Sequence, residues 1–117
     1  MASIKDLIDL IVEFRDKRDW GKYHTPRNLA LSLVVEIGEL FELLQWMTDE
    51  EILEKLSDSR YKEKIEEEIA DVAIYLLLLS NELKVDLEKA IIKKIEKNER
   101  KYPVEKVRGV YKKYTEL

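Results

Sequence analysis

Residues 65–79 read IEEEIADVAIYLLLL, and the spacing of Ile65, Ile69, Val72, Leu76 and Leu79 by four and three predicts a helix with an apolar stripe turned inward. Asp71 stands inside that helix, and Glu68 stands one turn before it. An ionised carboxylate taken out of water is costly unless something pairs with it. Rotation by about one hundred degrees per residue puts Tyr75 almost above Glu68, so Glu68, Asp71 and Tyr75 form a polar stripe beside the apolar one. The fold must therefore supply both a core for one stripe and a partner for the other.

The same helical periodicity runs through most of the chain. A first helix starts at Ser3 as N-cap, turns Ile4, Leu7, Ile8, Ile11, Val12 and Phe14 inward, and ends near Asp19. The connection DWGKYHTPRN breaks the pattern with Gly21 and Pro26 and gathers Trp20, Tyr23, His24 and Arg27, which makes it a candidate binding element. Thr25 and Pro26 open a second helix, expected to be long and mostly buried through Leu29, Leu33, Val34, Ile37, Leu40, Phe41 and Leu44 to about Met47. Thr48 or Asp49 caps a short acidic helix, the polar turn SDSR follows, and a third main helix spans Tyr61 to about Leu83. Asp86 caps a fourth that buries Leu87, Ala90, Ile91 and Ile95 and stops before Pro103.

These patterns predict one all-α domain over residues 1–117. It is a helical bundle of about four main helices with a short extra helix and a C-terminal tail from about residue 104. The composition agrees: charged residues are 39%, with Gly 3 and Pro 2. Val34 and Phe41 lie away from the Leu33/Leu40/Leu44 side, so the bundle is expected to be completed by association into a homo-oligomer. The absence of cysteine excludes disulfides and thiolate metal sites. MASIKDLIDLIVEF carries Lys5, Asp6, Asp9 and Glu13 and lacks the apolar run of a signal peptide, so a cytoplasmic location is expected. The run from Val72 to Ser80 is far too short to cross a bilayer. A net charge of -4 argues against general nucleic-acid binding.

Glu36 and Glu39 in VVEIGELFEL are three apart on the second helix, as Glu68 and Asp71 are on the third, so two acidic pairs can face each other. Four carboxylates brought close repel one another and raise their pKa values unless divalent cations sit between them. Oxygen-only donors suit Mg²⁺, with Mn²⁺ as a substitute, and such a site also binds nucleotide phosphates. A di-iron bundle needs Glu-x-x-His on two helices, and the only histidine, His24, has no such glutamate upstream. The plainer alternatives are solvated glutamate pairs and an Asp71 paired with a lysine of another helix. Lys94 and Asn98 share a face at i, i+4 and would meet phosphates if that face borders the carboxylates. Trp46 is either a structural residue or a stacking platform for a base.

FRDKRDWGKYHTPRNLALSLVVEIGELFELLQW, EEIADVAIYLL, NERKYP and the terminal KYTEL resemble, in that order, the dCTP pyrophosphatase branch of the MazG-like all-α nucleoside triphosphate pyrophosphohydrolases. The resemblance implies a helical bundle assembled as a homodimer or homotetramer. It also implies Mg²⁺-dependent cleavage of a nucleoside triphosphate to the monophosphate and pyrophosphate, through attack of an activated water on the α-phosphorus. By the same resemblance Glu36, Glu39, Glu68 and Asp71 are metal ligands, and Lys94 and Asn98 contact phosphate. Trp20, His24, Trp46 and Tyr75 form the base and sugar pocket, Tyr102 and the tail also match, and Glu39 is the candidate to orient or deprotonate the water. Residues 47–66 lack the Gly/Pro-rich insertion of animal members. The expected substrate is dCTP or a 5-modified form, with dUTP and other triphosphates open, and the expected role is cleansing of the nucleotide pool. The non-enzymatic alternative is a helical module that binds nucleotides or partner helices.

Overall fold

The computed structural model describes residues 2–109 and 115. Its elements are α1 (Ile4–Lys17), a 3-10 turn (Gly21–Tyr23), α2 (Pro26–Glu42), α3 (Asp49–Lys55), α4 (Ser59–Glu82), α5 (Leu87–Lys101) and α6 (Val104–Val107). There is no strand among the described residues, so the all-α expectation holds, with α1, α2, α4 and α5 as the main helices. The terminal KYTEL lies outside the described residues apart from Thr115.

The helix starts follow the caps read from the sequence. Ser3 and Asp6 form a reciprocal capping box, with Asp6 N donating to Ser3 Oγ at 3.1 Å and Ser3 N to Asp6 Oδ2 at 3.0 Å. Thr25, Thr48 and Asp86 accept the N–H of Asn28, Glu51 and Lys89. One start differs: Asp58 caps α4 through the N–H of Arg60, so that helix begins at Ser59, ahead of Tyr61.

Two compact units make up the chain, Met1–Lys84 and Val85–Leu117. In the first, α2 and α1 pack on α4, and the buried apolar side chains are Leu29 of α2 with Tyr61 and Leu78 of α4. The second contains α5 and α6.

Three expectations are corrected. First, α2 stops at Glu42 rather than near Met47. The N–H groups of Leu43 and Leu44 already tighten to the i−3 carbonyls of Leu40 and Phe41, the N–H of Met47 turns to Leu44 O, and the Tyr61 hydroxyl donates to the Leu43 carbonyl at 2.8 Å. Second, α2 is not mostly buried: Leu29 is, and Leu33, Glu36 and Leu40 are half-buried, but Val34, Ile37 and Phe41 are exposed. Third, the stripe expected to face inward on α4 is split. Ile69 and Leu76 are exposed, whereas Glu68, Asp71 and Tyr75 are half-buried. The polar stripe is covered to the same degree as Ile65, Val72 and Leu79 of the apolar one. Leu7 and Phe14 of α1, and Ala90, Ile91 and Ile95 of α5, are likewise exposed in the single chain, and α1 ends at Lys17.

Candidate active site

Glu36 sits on the inward face of α2 between Leu33 and Leu40, and Glu39 follows one turn later at the exposed edge. Because α2 packs on α4, Glu68 meets them: one carboxylate oxygen from each of the three lies within 4.8 Å of the others. Glu36 Oε2 and Glu68 Oε2 are buried with no hydrogen-bond partner. Among the described residues no lysine or arginine pairs with Glu36, Glu39, Glu68 or Asp71, so the alternative of an Asp71–lysine pair is not realised.

The electrostatic consequence falls on Glu36. Burial first, then hydrogen bonding and repulsion from Glu39 and repulsion from Asp71 and Glu68, push its carboxyl up to about 7. Burial and the charges of Glu39 and Asp71 likewise raise Glu68. Glu39 and Asp71 thus act on both residues, each on one within its own helix and on one across the α2–α4 contact. An oxygen-only donor set with orphaned buried oxygens and no paired cation fits a hard divalent cation, whose charge would return these carboxyls to their ionised form.

Asp71 belongs to a second feature as well. With Trp20, His24, Tyr75, Arg15 and Phe14 it lines a cavity of about 250 Å³, whose apolar wall comes from Ile11, Ile74 and Leu78. The turn after α1 supplies Trp20 and His24: Asp19 takes a left-handed conformation at φ 55, and the N–H of Trp20 folds back to Arg15 O at 3.2 Å. Trp20 then meets Phe14 edge-on at 5.9 Å between ring centroids. Asn28 of α2 holds the far end of the turn, its side-chain amide donating to Tyr23 O at 3.0 Å. His24 Nδ1 is buried without a partner, and burial followed by the nearby Arg15 charge lowers the imidazole pKa, favouring the neutral ring. The arrangement joins an anionic cluster, suited to a polyvalent cation, to a small aromatic pocket.

The structure brings Glu36, Glu39, Glu68, Asp71, Trp20, His24 and Tyr75 into this one unit. Trp46 belongs to the same unit but lines neither this cavity nor the carboxylate cluster. It is 86% exposed, in the turn after α2, and lines a different cavity of about 400 Å³ with Lys55, Arg60, Tyr61 and Lys64. Lys94 and Asn98 lie one turn apart on α5 in the second unit, and Tyr102 is the C-cap of that helix, its N–H donating to Asn98 O at 2.8 Å. Sequence reading passed over Arg15. Its signal was available, since Ile8, Ile11, Val12 and Arg15 share one helical stripe, a position where an arginine calls for a partner.

Comparison with known proteins adds three findings. A model of the MazG-like family matches residues 31–117. The dCTP pyrophosphatase 1 proteins of Bos taurus and Homo sapiens are each 44% identical over 115 residues, 98% of this chain and 68% of theirs. A crystal structure of a pyrophosphatase from Archaeoglobus fulgidus superposes with a TM-score of 0.79 at 48% identity, covering 88% of this chain and 94% of that one.

Proposed function

This chain belongs to the MazG-like family, and from that premise we propose that it is a nucleoside triphosphate pyrophosphohydrolase that converts dCTP, or a modified dCTP, to the monophosphate and pyrophosphate. The observation that carries the reading is the cluster of Glu36, Glu39 and Glu68 with its orphaned buried oxygens, beside an aromatic cavity that shares Asp71. Its similarity to dCTP pyrophosphatases supports the substrate, and the match of the family model to residues 31–117 supports a single domain that includes both compact units.

Glu36, Glu39, Glu68 and Asp71 would hold the divalent cation, Mg²⁺ with Mn²⁺ as a substitute. That cation supplies charge neutralisation for the triphosphate and Lewis acidity at the reacting phosphate. Glu39, the exposed member of the cluster, is assigned to orient the attacking water and accept its proton. The water oxygen bonds to the α-phosphorus while the bond from that phosphorus to the bridging oxygen of the β-phosphate breaks, and pyrophosphate leaves in line. Trp20 and Tyr75 flank the base, neutral His24 offers one hydrogen-bonding nitrogen, and Asp71 stands where the pocket adjoins the cluster. Lys94 and Asn98 are assigned to the phosphates, with Tyr102 beside them on the chain. Trp46 lies outside the Trp20 pocket within one chain, so its part in base binding falls to a second copy in a homodimer or homotetramer. Within this reading the enzyme acts on the cytoplasmic nucleotide pool, before a polymerase uses it, and needs neither nucleic acid nor membrane. Among the described residues no helix is long and apolar enough to cross a membrane.

Product analysis tests the proposal. With a panel of canonical and modified dNTPs, the expected result is monophosphate plus pyrophosphate, fastest for cytosine, abolished by EDTA and reduced at least about a hundredfold by Asp71→Asn. Diphosphate plus orthophosphate would place the attack elsewhere, and binding without any product would leave a nucleotide-binding module.

A further inference from the structure

Arg15 is the cation that walls the aromatic cavity, and nothing above gives it a task. Its side chain is only 12% exposed. Nη1 donates to Glu82 Oε1 at 2.9 Å, while Nε and Nη2 both meet Asp16 Oδ1 at 3.0 Å. Asp16 is mostly exposed, so that pair is weak, but the Glu82 carboxylate comes from the end of α4 and fixes the guanidinium against the helix that carries Asp71 and Tyr75. Gly21 lies against the other side, where an added Cβ would stand 3.5 Å from Nε. A guanidinium has five N–H groups and no acceptor. Two are spent in hydrogen bonds, Nε to Asp16 and Nη1 to Glu82, while Nη2 makes only an ion-pair contact with Asp16, so donors on Nη1 and Nη2 are left for whatever enters the cavity.

Two donors on one rigid plane match two adjacent acceptors, as in arginine recognition of the O6 and N7 of guanine. On a pyrimidine the corresponding pair is O2 and N3, and both are acceptors only in cytosine. In uracil and thymine N3 carries a hydrogen, which would face a donor across the contact. Polar mismatches of this kind discriminate strongly, because the buried donor is left unpaired.

We propose that Arg15, held in place by Glu82, is the specificity-determining residue of the pocket and selects cytosine by donating to its O2 and N3. The assignment rests on the base-pocket reading above and deepens it.

The test uses binding, so it is decided separately from turnover. Affinities of dCMP, dUMP and the deoxyribonucleotide of pyrimidin-2-one, which keeps O2 and N3 but lacks the exocyclic amine, are measured for the full chain by calorimetry. The expected order is dCMP close to the pyrimidin-2-one nucleotide, with dUMP about tenfold weaker or more. Arg15→Lys keeps a cation for Glu82 but loses the fork, and it should bring the dCMP to dUMP ratio close to one. A pyrimidin-2-one nucleotide as weak as dUMP would show that the amine is read instead and overturn the proposal without any variant. Equal losses for both nucleotides in Arg15→Lys, or no base preference in the wild type, would overturn it too. Absence of pyrophosphate release from dCTP by the wild type would count against the hydrolase reading alone.

Discussion

Glu36 carries the cost of the site. Its carboxyl is raised from 4.5 to about 7 in the folded chain, so between those values the native state binds more protons than the unfolded state. Stability without divalent cation must therefore fall as pH rises from about 4.5 through about 7. Thermal melts in EDTA between pH 5 and 8 should show a declining Tm, and saturating Mg²⁺ should flatten or reverse the decline, since the cation competes with the proton. Glu36→Gln removes the titrating group: its Tm in EDTA should be a few degrees higher than wild type at pH 8, with the stabilisation by Mg²⁺ lost. A wild-type Tm independent of pH in EDTA would mean that the carboxylates are well solvated. At this scale the sequence disclosed which residues form the two acidic pairs, because three-residue spacing fixes a shared helix face. It could not disclose that Glu36 and Glu68 keep buried, unpartnered oxygens, which depends on how closely α2 approaches α4.

The helices are set by their ends. Ser3, Thr25 and Asp86 were legible as N-caps because a short polar side chain beside an apolar repeat has few other tasks, and of the alternatives Thr48 and Asp49 it is Thr48 that accepts the backbone N–H. The C-terminal ends were less legible. The end of α2 tightens to i−3 bonds at Leu43 and Leu44, and Tyr61, distant in sequence, donates to the Leu43 carbonyl there. After α4, Leu83 is the C-cap and Lys84 follows in the left-handed region at φ 56, a position that favours glycine. Lys84→Gly should stabilise the chain by about 0.5–1 kcal/mol, measured as a higher midpoint in urea at unchanged slope. A lower midpoint would show that the lysine side chain contributes more than its backbone strain costs. Asp19, at φ 55, is a residue type that tolerates this region and calls for no replacement.

The single chain leaves much apolar surface uncovered. Val34 and Phe41, two turns apart on α2, are 66% and 59% exposed, and Val35 and Ile37 lie nearby. Burying one such side chain yields about 1.5–3 kcal/mol, and a contiguous exposed patch of this kind marks an association surface. We expect the wild type to sediment as a homo-oligomer and Phe41→Glu to shift it toward the monomer with its helical circular dichroism retained. A wild type that sediments as a monomer at micromolar concentration would remove α2 as an interface. The helical class, the N-caps and the pairing of Glu36 with Glu39 and of Glu68 with Asp71 on shared helix faces were legible in the chain, because helical periodicity and short-range hydrogen bonding are local properties. The sequence also marked Val34 and Phe41 as lying off the core stripe. Tertiary packing set how far each stripe of α4 is covered, the separation of Trp46 from the Trp20 cavity, and the reach of Arg15 to Glu82 beside that cavity. Each of those depends on contacts between residues far apart in the chain, and a helix that is apolar on more than one face does not specify from its own sequence which face it turns inward.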